Sequence, residues 1–181
     1  MTRFKEKYLK VAVPALTEEF KYTNIHQVPR IEKVVVNAGV GRAVSDSKHL
    51  DAAAENLATI TGQHPVTTVA RLSIASFKLR EGNKVGTTVT LRGAKAEEFL
   101  DQVVSVVLPR IRDFRGISDT AFDAHGNYSL GITDHSIFPQ IPFEEVGTPH
   151  GLQINVVTTA KTAAEGKRLL ELMGFPFRRN A

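Results

Sequence analysis

Over the first twenty residues the apolar positions Phe4, Tyr8, Val11, Leu16 and Phe20 recur at spacings of three to five, which marks one buried helical face. Pro14 falls within that run and lacks the N–H that a helix interior needs. The pattern therefore predicts two short helical pieces, with Pro14 near the start of the second. Residues 31–37, IEKVVVN, are β-branched and bounded by Pro29 and Gly39, which predicts a strand. Helical spacing returns at Leu50, Ala54, Leu57 and Ile60, with Ser45, Asp46 and Ser47 available as caps and Gly62 as the stop. Residues 65–70 (PVTTVA) and 86–92 (GTTVTLR) read as strands around a loop or hairpin at 71–84. A further helix begins near Ala94 and is expected to bury Phe99, Leu100, Val103, Val104 and Val107 before Pro109 disturbs its end. Residues 112–150 read as long ordered loops with a hairpin near GNYSLGI (126–132), and 152–159 as a final strand. Thr162 and Glu165 form a capping box for the last helix, which carries Leu169, Leu170 and Met173 and ends at Gly174.

Helices and strands intermixed in this way, with hairpin-like spacing between several strands, predict an α+β sandwich in a single domain spanning residues 1–181. Helices would cover one face of a mostly antiparallel sheet. Strand parity separates that face from the open one. Val34 and Val36 oppose Lys33, Val35 and Asn37; Val89 and Leu91 oppose Thr88, Thr90 and Arg92; Leu152, Ile154 and Val156 oppose Gln153, Asn155 and Val157. The open face then carries Lys33, Asn37, Thr88, Thr90, Arg92, Gln153 and Asn155, without a carboxylate and without an aromatic ring. A solvated sheet ordinarily mixes both charge signs. A face free of carboxylates avoids repelling phosphate and can hydrogen-bond base edges and 2′-hydroxyls. Lacking aromatics, it suits shape and backbone recognition of folded RNA rather than base stacking.

Charge strengthens this picture through its distribution rather than its total of +4. Residues 71–95 carry Arg71, Lys78, Arg80, Lys84, Arg92 and Lys95 against the single acid Glu81, whereas residues 96–145 carry nine acids against Arg110, Arg112 and Arg115. One surface is thus fitted to a polyanion and another to a basic partner. In the loop, Ser73, Ser76, Gly82 and Asn83 alternate with the cations, so backbone N–H groups can approach phosphates. The absence of cysteine excludes disulfides and thiolate metal sites and fits a reducing compartment. MTRFKEKYLK has no apolar stretch resembling a secretory signal, and the apolar run 103–108 is too short to span a bilayer, so a cytoplasmic protein with no membrane partner is expected.

Enzymatic signals are weak. VVVNAGVGRAV places Gly39 and Gly41 after a strand, but a dinucleotide fingerprint needs a third glycine where Val44 stands and an acid ending the next strand. A tight turn with positive backbone angles is the expected use of the two glycines. The six histidines are scattered, with no i, i+4 metal pair, and Asp134-His135-Ser136 are neighbours in sequence, which is not a triad geometry. Glu97 and Glu98 suit the start of a helix, and Glu144 and Glu145 a solvated surface. No enzyme and no cofactor are expected.

Six segments, KVVVNAGVG (33–41), RLSIASFKLREG (71–82), VTLRG (89–93), LPRIRDFRG (108–116), GNYSLGI (126–132) and VVTTAKT (156–162), resemble in order those of the bacterial large-subunit ribosomal protein five family (uL5), with small departures such as Ala38 and Leu72. The resemblance covers essentially the whole chain. It implies a curved, mostly antiparallel sheet with helices on one face, an RRM-like or ferredoxin-like sandwich with long loops. It also implies binding to 5S rRNA, near its helix III and loop C, in the central protuberance of the large subunit beside 23S rRNA. The family's central RNA hydrogen bonds are made by an Asn, a Gln and a Thr, which match Asn37, Gln63 and Thr90. Lys33, Thr88 and Arg92 lie on the same expected face. Similar proteins send the basic loop, here Ser76, Lys78, Arg80 and Lys84, toward P-site tRNA. They also contact a small-subunit ribosomal protein at an intersubunit bridge, a partner for the acidic 96–145 region. The end of the chain at FPFRRNA favours the ribosomal form over a stress variant with an added domain.

Overall fold

The computed structural model describes residues 2–41, 47–141 and 149–178. The candidate caps Ser45 and Asp46, the Val44 position of the fingerprint, and Glu144 and Glu145 lie outside the described residues. The strands are β1 (Ile31–Gly39), β2 (Val66–Val69), β3 (Lys84–Arg92), β4 (Tyr128–Ile132) and β5 (Leu152–Thr158). They form the expected open antiparallel sheet, in the order β2-β3-β1-β5-β4, with helices packed against it. The chain divides into two compact units, one of Met1–Val34, Arg92–Leu130 and Asn155–Ala181, the other of Val35–Leu91 and Gly131–Ile154.

The first unit holds α1 (Arg3–Lys7), α2 (Val13–Phe20), α4 (Ala94–Gln102), α5 (Leu108–Arg110) and α6 (Ala163–Met173). Both prolines inside helical stretches behave alike. Pro14 opens α2 after a π-helical turn at Tyr8–Ala12, and Pro109 sits in α5 after another at Val103–Val107. A wider turn ahead of proline leaves room for its ring and tolerates the missing donor, so the helix runs on past Pro14 to Phe20, whereas after Pro109 it ends at Arg110, as expected. Phe4, Ala12 and Leu16 are buried, but Val11 is 46% exposed, and Val104 is only half-buried while Val103, Val107 and Leu108 are fully inside. The π turns shift the apolar stripe away from a simple 3.6-residue period, which is why these two positions depart from expectation. Arg3 pairs with Asp101 at 2.9 Å, and Lys7 donates to the Met173 carbonyl at 2.9 Å, holding α1 to α4 and to the end of α6. At the start of α6, Thr162 accepts from Glu165 N at 3.3 Å, while the Glu165 carboxylate accepts from Lys161 N at 2.8 Å, one residue ahead of the usual reciprocal bond.

In the second unit α3 (Lys48–Thr61) buries Leu50, Ala53, Leu57 and Ile60, with Ala53 rather than Ala54 on the inward face. Ser47 stands at its N-cap without a side-chain capping bond, and Gly62 closes it in the left-handed region at φ 62°. The positive backbone angles expected at Gly39 and Gly41 are absent, and Gly39 is the last residue of β1. Glycine is instead required at Gly86 in β3, where a Cβ would lie 2.6 Å from the Ala38 carbonyl oxygen. His135 is fully buried and stacks on His150 with ring centroids 3.9 Å apart. Asp134 accepts from Ser136 N at 2.8 Å, so the Asp-His-Ser run makes a turn and not a triad.

Candidate nucleic-acid interface

Alternation along the strands follows the expected parity. In β1, Val34, Val36 and Ala38 are buried and Lys33, Val35 and Asn37 half-buried; in β3, Val89 and Leu91 are buried and Thr88 and Thr90 half-buried; in β5, Leu152, Ile154 and Val156 are buried, Gln153 is exposed and Asn155 half-buried. Alternation of Cβ direction produces this by itself once one face is covered.

Within the second unit, Gln63 is bonded to the Thr90 backbone and Thr88 to that of Val36, the residue before Asn37. Thr88 Oγ1 donates to the Val36 carbonyl at 3.2 Å, which sets Thr88 beside the Val36–Asn37 peptide. Gln63 has no strand parity to announce it, and parity alone misses it. The left-handed Gly62 turns the chain at the end of α3, and Thr61 Oγ1 donates to both the Leu57 carbonyl (2.7 Å) and the Gln63 carbonyl (3.2 Å). So positioned, Gln63 Nε2 donates to the Thr90 carbonyl at 3.2 Å. The Gln63 amide oxygen, the Asn37 carboxamide and the Thr90 hydroxyl make no other hydrogen bond among the described residues, leaving a cluster of donors and acceptors open to a ligand. Val66 faces Thr88 across the β2–β3 ladder and is 68% exposed.

Lys33 and Arg92 belong to the first unit. Arg92 lies 3.9 Å from Glu32, both well exposed, so the pair is weak and leaves the guanidinium available.

The basic loop is an ordered hairpin. Ile74 and Leu79 exchange backbone hydrogen bonds at 2.9 and 3.1 Å around a 3₁₀ turn at Ala75–Phe77; Ala70 N donates to Asn83 O at 2.8 Å, and Glu81 N to Ser73 Oγ at 2.9 Å. Ser76, Lys78 and Arg80 are exposed on it, and Lys78 takes the left-handed conformation at φ 53°. Lys84, expected in the loop, is the first residue of β3, because the ladder with β2 reaches it through the Val69 pairing. Leu72 and Phe77 are 73% and 72% exposed, apolar groups that charge counting passes over. An exposed aromatic among cations was the available signal.

Several carboxylates of the acidic region have partners among the described residues, two of them cations. Asp101 is held by Arg3, Asp119 by Lys167 at 3.2 Å, and Glu97 by the Thr2 hydroxyl. Asp123 accepts from Asn127 Nδ2 and from the N–H groups of His125 and Asn127, and the Asn127 side chain first of all holds its carboxyl below the ordinary value. Burial, and secondarily Asp119, pushes the Tyr128 phenol up to about 12, so it stays a donor to the Ser118 carbonyl at 2.8 Å. Among the described residues no His, Asp and Glu cluster is fit to hold a metal ion, and no helix is long and apolar enough to cross a membrane.

Comparison with known proteins matches residues 24–80 to the family described as ribosomal protein L5 and residues 84–177 to the C-terminus of the same ribosomal protein family. The chain is similar to the large ribosomal subunit protein uL5 of Dehalococcoides mccartyi, 54% identical over 177 residues (98% of each chain). It is similar to the same protein of Citrifermentans bemidjiense, at 57% over 178 residues (98% of this chain, 99% of the relative). The Arabidopsis thaliana large ribosomal subunit protein uL5c is 52% identical over 176 residues, 97% of this chain and 67% of the relative.

Proposed function

The chain belongs to the ribosomal L5 family, and from that premise we propose that it binds 5S rRNA through the open face of its sheet, in the central protuberance of the large subunit. It is a structural protein of the large ribosomal subunit and not an enzyme. The observation that carries the finer reading is the hydrogen bond from Gln63 to the Thr90 carbonyl. It joins two of the three residues the resemblance singles out, and Asn37 stands on the neighbouring strand beside Thr88. Affinity then divides into two parts. Asn37, Gln63, Thr88 and Thr90 supply directional hydrogen bonds, while Lys33 and Arg92 neutralise phosphates. The 71–83 hairpin presents Ser76, Lys78 and Arg80 to P-site tRNA, with 23S rRNA as the surrounding scaffold. A basic small-subunit protein meets the carboxylates that stay exposed, which among the described residues of 96–145 are Glu98, Asp113 and Asp123.

The test is binding of the purified chain to 5S rRNA and to an unrelated structured RNA of equal length across a salt titration. A preference for 5S rRNA that persists near physiological salt is expected. Thr90→Ala should lower it by about 1–3 kcal/mol, since the RNA partner is left unpaired. A folded Thr90→Ala chain that binds as tightly as the wild type would overturn the assignment of the sheet face.

A further inference from the structure

We propose that Arg110, Arg112, Arg115 and Arg178 form a second phosphate-binding surface, which takes the backbone of a double-helical RNA segment. These residues lie in or against the region whose sequence is the most acidic of the chain. Among the described residues, Glu97, Asp101, Asp119 and Asp123 have partners of their own, and Asp134 is turned onto Ser136 N. The arginines are treated in the opposite way. Arg110, Arg115 and Arg178 are exposed and make no ion pair among the described residues. Arg112 approaches only its neighbour Asp113, at 3.8 Å, with the two side chains 97% and 88% exposed, a contact too loose and too wet to occupy it.

Backbone pairing brings the two segments together. Ile117 N donates to Pro176 O and Arg178 N to Ile117 O, each at 2.9 Å. Gly116, at φ 99°, lets the chains approach so closely that a Cβ there would lie 2.9 Å from both the N and the Cα of Arg178. Arg115 and Arg178 are therefore neighbours; Arg110 ends α5 and Arg112 lies on the loop that leads from it to Arg115.

The surface fits phosphate better than an acidic protein. Guanidinium groups take phosphate oxygens in a two-pronged fashion, and unpaired arginines lose no existing partner on binding. A protein interface would want an exposed apolar anchor at its centre, and residues 110–118 contribute none of the exposed large hydrophobic side chains. Nothing in this reading depends on the sheet face or on the hairpin.

The experiment uses the full chain and a fully paired RNA hairpin of arbitrary sequence, with binding followed across salt concentration. Joint Arg→Ala replacement at 110, 112, 115 and 178 is expected to lower the slope of log K against log salt by about two to three, and affinity near physiological salt about tenfold or more. Arg→Lys at the same four positions should keep most of the slope. Should the fourfold variant fail to fold, Arg112→Ala with Arg178→Ala reads the same change at about half the size. Lys78→Ala with Arg80→Ala, introduced into either background, should subtract its own share independently. An unchanged slope in the folded Ala variant overturns the proposal. So does an unchanged slope accompanied by lost binding to polyglutamate, which would assign the surface to an acidic protein.

Discussion

On the sheet face, Gln63 is tied to the Thr90 carbonyl and Thr88 to the Val36 carbonyl, and each side chain is half-buried. On the 71–83 hairpin the backbone is tied instead, through Ile74, Leu79, Ala70 and Asn83, while Ser76, Phe77, Lys78 and Arg80 stand free in solvent. The first arrangement pre-orients hydrogen-bonding groups and gives them little freedom to lose on binding. The second pre-orients a ribbon and leaves long cationic side chains mobile upon it. A face of the first kind discriminates by geometry and resists salt, whereas a ribbon of the second kind attracts over distance and weakens as salt rises.

The largest effect that would sharpen this contrast is expected from Gln63→Ala, which removes a proposed RNA contact together with the bond to the Thr90 carbonyl. Affinity for 5S rRNA should fall by about 1–3 kcal/mol, roughly a factor of five to a hundred and fifty, with the salt slope unchanged. A marked drop in slope would break the contrast. Phe77→Ala is expected to weaken tRNA engagement in assembled ribosomes by about 1–2 kcal/mol without altering salt dependence, because a ring on a base works by stacking. Lys78→Ala with Arg80→Ala should cost less near physiological salt, lower the slope for tRNA by about one to two, and spare 5S binding. A large loss of 5S binding from that pair would move the hairpin to the other partner. The smallest change lies beneath the sheet face. The Thr87 hydroxyl is fully buried with no hydrogen-bond partner among the described residues, so Thr87→Val should raise the unfolding free energy by up to about 1 kcal/mol and leave RNA binding as it was. Denaturant titration reads it directly.

Much of this contrast was legible before the fold. Val34 and Val36 against Lys33 and Asn37, or Val89 and Leu91 against Thr88 and Thr90, state which face is covered, because strand parity is a local property of the backbone. Gln63 was legible only through family resemblance. Its place depends on where Gly62 turns the chain and on the distance from α3 to β3, and neither is a local property. Val11 and Val104 were misplaced for a related reason: the π turns ahead of Pro14 and Pro109 alter the helical period on which the reading relied.

The sequence by itself determined the order and type of the elements, the covered and open faces of the strands and the basic hairpin, since these follow from side-chain periodicity, turn residues and local charge. It also carried the family in the order of its segments. The tertiary structure alone decided which charges remain free. Asp101 and Arg3, Asp119 and Lys167, and Arg115 and Arg178 are far apart in sequence, and only packing and backbone pairing bring each pair together. A count of residues 96–145 reads as an acidic surface, but among the described residues the fold pairs Asp101 and Asp119 with remote cations and leaves Arg110, Arg112 and Arg115 exposed. Electrostatic energy depends on the distances that folding sets, and a sum of charges along the chain does not contain them.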